Sequence, residues 1–88
     1  MKGFVKDPQA NLDYSLDWEP WLDGDTLTTS VWVLESPLAG SNEAFDTTTT
    51  RIFISGGDAG NSYLAVNTIT TAGGLTDERS FEIRVRNR

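Results

Sequence analysis

Along "ERSFEIRVR", Phe81, Ile83 and Val85 alternate with Glu82, Arg84 and Arg86. Such a pattern can bury its apolar set only as an extended strand with one face turned inward. The same period of two recurs through the chain, whereas no apolar repeat at helical spacing persists for ten residues. In "LDYSLDW", Leu12, Tyr14, Leu16 and Trp18 oppose Asp13, Ser15 and Asp17, which predicts a first strand with all four large residues inward. "DTLTTSVWVLE" is rich in β-branched and aromatic residues and predicts a second strand. There Val31 and Val33 oppose Trp32 and Leu34, and the area of the indole favours the Trp32 face as the inner one.

The third long run, "FDTTTTRIFISGG", sets Ile52 and Ile54 opposite Arg51 and Phe53, with the threonines at 47–50 read as solvent-facing strand. "SYLAVNTITT" is apolar on both faces, Tyr63, Ala65 and Ile69 against Leu64 and Val66. Either set can face the core, and the other must lie under a loop or meet a partner. A short strand around Leu38 to Phe45 brings the total to six or seven, separated by the turn-rich "SPLAG", "GGDAGN" and "AGGLTD". This spacing predicts an all-β fold, a single antiparallel β-sandwich over residues 12–88, with 1–11 as a flexible lead-in. "EPWL" then turns the chain so that Trp21 and Leu22 close one end of the core before "DGD" makes a corner.

With 88 residues the chain has room for one small core. It contains no Cys and no His, which removes disulfides, thiolate metal sites, the commonest zinc ligand and the usual general base. No enzymatic activity and no cofactor are expected. The opening "MKGFVKDPQAN" lacks the apolar run of a signal peptide, and no apolar run approaches the roughly 20 residues that span a bilayer. A soluble protein made in a cytoplasm is expected. The net charge of −6 is divided unevenly: nine acids and two lysines to Asp46, four acids and five arginines after it, or −7 against +1. Such acidity disfavours nucleic acid and anionic membrane as partners.

The cluster Asp17, Glu19, Asp23 and Asp25 invites a calcium reading, but "DGD" lacks the rest of an EF-hand loop and suits an ordinary turn. No metal site is expected. As a glycosidase pair the same carboxylates would need a cleft that so small a sandwich scarcely builds. The glycines of "SGGDAG" and "TTAGGLTD" lead into no helix and carry no lysine, so they read as turns and not as phosphate loops. Tyr63 opens a strand after such a turn, either as a corner tyrosine donating its hydroxyl to upstream backbone or as an ordinary strand aromatic.

Arg84, Arg86 and Arg88 share one face of the last strand. They either guard a sheet edge or meet the acidic corner of a neighbouring copy at Asp23 and Asp25, an arrangement that closes into a head-to-tail ring. Together with Leu64 and Val66 these residues form the candidate interface. The competing reading is a carbohydrate-binding or adhesin-type module in which an open Trp21 stacks on a sugar.

Four motifs, "KDP", "LDY-x-x-DW-x-x-WL-x-GD", "GG-x-AG-x-SY" and "TTAGG-x-TDERS", lie within Lys6 to Val85. In combination the chain resembles small phage and prophage structural proteins described as fibre–tail adaptor or minor virion proteins. The resemblance implies an immunoglobulin-like β-sandwich, a part in virion assembly through contacts with other virion structural proteins, and no catalytic residues. It also implies a location in the virion, or in the cytoplasm of the bacterial host or lysogen during assembly.

Overall fold

A computed structural model describes residues 2–87. In chain order these form β1 (Lys2–Lys6), β2 (Leu12–Asp17), α1 (Glu19–Leu22), β3 (Leu27–Leu34), β4 (Ala39–Phe45), β5 (Thr49–Ser55), β6 (Ser62–Thr71) and β7 (Thr76–Val85). Two packed sheets result, one ordered β1-β7-β6-β3 and the other β2-β5-β4, within an envelope of 42 × 23 × 18 Å. The fold is the expected all-β sandwich.

One pairing departs from the antiparallel expectation. β1 runs parallel to β7, with Lys2 opposite Phe81 and Lys6 opposite Val85. The segment 1–11, read as a lead-in, thus supplies a strand. "KGFVK" shows no alternation worth the name, yet Phe4 reaches the core and meets Tyr14 and Phe81 edge-on, centroids 5.1 and 5.2 Å apart.

On β2, Tyr14 is buried and Leu16 half-buried, but Leu12, expected inward, is 38 % exposed. It forms the first pair of the β2–β5 ladder, opposite the buried Ile54. Trp18 lies just past the strand and is fully buried. The turn α1 starts there because Asp17 Oδ1 accepts the Glu19 N–H at 3.1 Å and Pro20 sits where a missing N–H does no harm. It stops at Asp23, which adopts a left-handed conformation (φ 49°). Leu22 is buried by this turn and Trp21 half-buried.

Trp32 faces inward on β3, leaving Val31 and Val33 to solvent. On β6 the inner face is Tyr63, Ala65, Asn67, Ile69 and Thr71, and Leu64 and Val66 are half-buried on the outer face. Thr50 corrects the reading of 47–50 as solvent-facing, for it points inward with Ile52 and Ile54 and is fully buried.

The core has two parts. The larger gathers Tyr14, Trp32, Ile52, Tyr63, Phe81, Ile83 and their neighbours, and the smaller holds Trp18, Leu22, Leu27 and Ile69. Beside the smaller one lies a buried hydrogen-bond cluster centred on Asn67. Its carbonyl oxygen accepts from the Trp18 indole N–H at 3.2 Å and the Thr50 hydroxyl at 2.7 Å. Its amide group donates to Ser30 Oγ at 3.0 Å and the Val31 carbonyl at 3.1 Å. One side chain therefore ties both sheets to the α1 corner.

Candidate assembly surfaces

Tyr63 occupies a corner, with a hydrogen bond of opposite polarity to the one expected: its hydroxyl accepts the Asp58 N–H at 3.0 Å. The preceding glycines are needed for close approach. Gly57 has φ 96°, and a Cβ there would lie 2.7 Å from Val85 Cγ2, while one on Gly56 would lie 2.9 Å from the Pro37 carbonyl. Backbone bonds from Gly60 N–H to Val85 O and from Val85 N–H to Asn61 O fasten this turn to β7. The "GG-x-AG-x-SY" motif is thus a folding device.

The acidic corner divides into one committed and one open carboxylate. Asp25 Oδ1 accepts from Thr26 N–H at 2.8 Å, and both its oxygens lie 3.2–3.3 Å from Gly73 N–H. The Thr71 hydroxyl, together with these backbone donors, holds the Asp25 carboxyl below the usual carboxylate range. Asp25 therefore clasps the α1–β3 turn to the β6–β7 turn, assisted by Ala72 N–H to Thr26 O at 2.9 Å. Asp23 is exposed. Among the described residues no group of three or more acidic side chains converges as a metal site. Trp21, the candidate sugar platform, is half-buried with its ring edge-to-face on Trp18, centroids 5.7 Å apart.

At the other end Arg84 is exposed and 3.5 Å from the Glu82 carboxylate. β7 ends at Val85, so Arg86 lies beyond the strand; it is exposed, and its N–H donates to Lys6 O at 3.0 Å. Arg88 lies outside the described residues. Because β7 sits between β1 and β6, its arginines guard no sheet edge. Lys6 is itself fully buried and donates to the Asp7 carbonyl at 2.7 Å; burial pushes its ammonium below the ordinary lysine value, against the opposing pull of Asp7.

Arg79 had no place among the expected functional residues. Its guanidinium stands 4.2 Å from the Trp18 ring centroid and donates to Asp17 O at 3.0 Å, capping the buried indole. Its parity with Phe81, Ile83 and Val85 was the available signal, since a strand residue two places before Phe81 shares the inner face.

These parts stand far apart. Asp25 binds Gly73, just beyond the end of β6 at Thr71, while Arg84 pairs with Ser62 at the beginning of β6. A ten-residue strand separates them by about 30 Å. Between the two ends, the outer face of the four-stranded sheet carries Val31 and Val33, 54 % and 62 % exposed, beside Leu64 and Val66, with Val33 directly opposite Val66.

The surface carries open concavities. One, of about 320 Å³ between β2 and the β4–β5 hairpin, is lined by Ser15, Phe45, Asp46, Thr49 and Arg51. Asp46 is occupied there: its Oδ1 accepts from Thr48 and Thr49 N–H at 2.9 and 2.8 Å, which lowers its pKa. Among the described residues no helix is long and apolar enough to cross a membrane. A family model described as "Podophage GP4 fiber-tail adaptor protein gp77" matches residues 6–84. Among curated proteins none matches the sequence.

Proposed function

The chain belongs to the podophage GP4 fiber-tail adaptor family, and from that premise we propose that it acts without catalysis, as a connector between tail and fibre proteins of the virion. The observation that carries this reading is the separation of contact chemistry along the long axis. An adaptor must hold two neighbours at once, and this molecule presents an acidic corner, with Asp23 open and Asp25 tied to Gly73, about 30 Å from the Arg84 and Arg86 end. An exposed acid at one end and exposed arginines at the other also let copies join head to tail into a ring. The apolar stretch at Leu64 and Val66 lies between them and adds burial that exposed charge alone does not supply.

The strand order supports an immunoglobulin-like reading. β3-β6-β7 and β2-β5-β4 match the C-F-G and B-E-D sheets of that fold, and β1 joins the first of them beside β7. The corner at Tyr63 fits the same comparison.

The test is sedimentation of the protein with purified tail and fibre proteins of its phage, as wild type and as Arg84→Glu/Arg86→Glu, at low and high salt. Binding that weakens with salt and with charge reversal is expected, because exposed ionic contacts are screened over about 8 Å at physiological ionic strength. Absence of binding to any virion protein, together with retention on a glycan surface, would transfer the assignment to a carbohydrate-binding module.

A further inference from the structure

The sandwich has four sheet edges, and three of them carry devices that discourage pairing with another chain. β1 is only five residues long. β2 turns Asp13 and Asp17 outward. β4 contains Glu43 and breaks register between Ser41 and Ala44, with Asn42 at φ 50°. The fourth edge, β3, confines its one register shift to its first residues, between Leu27 and Thr29. "LTTSVWVL" contains no charge, no Pro and no Gly, and from Thr29 to Leu34 it keeps unbroken register with β6. Among the described residues its one backbone hydrogen bond to a segment other than β6 is from Leu27 N–H to Thr47 O. The open stretch is also where Val31 and Val33 face solvent, continuous with Leu64 and Val66.

We propose that two copies of the chain pair through β3, edge to edge and antiparallel about a two-fold axis near Trp32, making one continuous eight-stranded sheet. This rests on the reading above and deepens it by naming the occupant of the β3 edge that adjoins the Leu64 and Val66 face. The charge distribution selects a second copy. Across a two-fold axis, β2 would set acid against acid and β4 would bring its two Glu43 side chains together, whereas β3 sets no charge against a like charge. In the register centred on Trp32, Val31 lies opposite the Val33 of the other copy and Glu35 opposite its Thr29. The outward valines of both copies then join the two Leu64 and Val66 patches in one apolar surface.

The salt dependence is opposite to that of the end-to-end contact. Each copy carries −6, so screening removes repulsion and tightens the β3 pair while loosening ionic contacts between acidic and arginine ends. Sedimentation equilibrium of the isolated protein, at low salt and at about 1 M salt, should show a concentration-dependent dimer favoured by salt. Val31→Lys/Val33→Lys, at two exposed positions, should raise the dissociation constant by about tenfold or more with unchanged circular dichroism. Amide exchange supplies a readout without mutation: Thr29–Leu34 should become protected on going from dilute to concentrated wild-type protein.

A monomer at all concentrations up to millimolar, or a dimer indifferent to both lysines, would overturn the proposal. So would exchange at Thr29–Leu34 that ignores concentration. Association dissolved by salt and abolished by Arg84→Glu/Arg86→Glu would also overturn it, while leaving the end-to-end reading intact.

Discussion

The two parts of the core solve the same problem by different physics. Around Trp18, polar atoms are buried and partnered: the indole N–H, the Thr50 hydroxyl and both ends of the Asn67 amide make hydrogen bonds across the sheets. Around Tyr14 and Trp32 the packing is aromatic, with Tyr14 stacked 5.5 Å from Phe81 and Trp32 edge-on to Phe81 at 5.9 Å. There the Tyr14 hydroxyl and the Trp32 indole N–H are buried with no hydrogen-bond partner. Directional bonds fix a register because a shifted strand leaves them unmade; volume filling tolerates small shifts. The Asn67 end therefore specifies how the sheets align, and the Phe81 end supplies most of the apolar burial.

The largest test of this contrast is Trp18→Ala. It removes a fully buried indole, its two hydrogen bonds and the seat of Arg79, and should lower unfolding free energy by about 3–5 kcal/mol. Urea denaturation measures it, and a wild-type midpoint would show that the smaller cluster does not contribute to global stability.

Asn67→Ala comes next, at roughly 1–3 kcal/mol, since it strands the buried Thr50 hydroxyl and takes away one of the two acceptors of the Trp18 N–H. Thermal melts and amide exchange along β3 and β6 should both report it. Equal stability of this variant and wild type would erase the distinction between the two ends.

Asp25→Ala should act more weakly and with a pH signature. The folded pKa of Asp25 is lowered, so its contribution is present above the unfolded value of about 3.9 and fades as pH falls through the folded value. Denaturation midpoints of variant and wild type should differ near neutrality and converge in strong acid.

The smallest effect belongs to Tyr14→Phe. With no partner for its buried hydroxyl, the change should fall within about ±0.5 kcal/mol, and a stabilised variant is a permitted outcome. A loss as large as that of Asn67→Ala would reveal a bond that the aromatic end does depend on.

Much of the fold was legible because one physical signal dominates it. Alternation placed Tyr14, Ile52, Ile54, Phe81, Ile83 and Val85 inside, and turn residues marked the strand ends. Legibility failed where polar residues go inward: Thr50, Asn67 and Lys6 are buried, and hydropathy alone points all three outward. Their burial depends on partners distant in sequence, such as Trp18, 49 positions from Asn67. β1 escaped for a related reason, since its place is set by β7 and not by its own pattern. For the interface residues, side-chain type was readable but engagement was not. Asp23 and Asp25 are two positions apart, and only the second is held by Gly73.

The parallel pairing of β1 with β7 also governs when this protein can exist. Each β1 residue finds its partner 79 positions later, so β1 stays unpaired until β7 has been made. Until β7 has cleared the ribosome, the nascent chain holds Phe4 without Phe81 and the inner face of β6 without its neighbour. A premature stop before Thr76 would therefore unseat two strands of the four-stranded sheet, leaving only β6 and β3 paired against the β2-β5-β4 sheet. A chain stopped there lacks Arg84, Arg86 and the whole β1–β7 ladder.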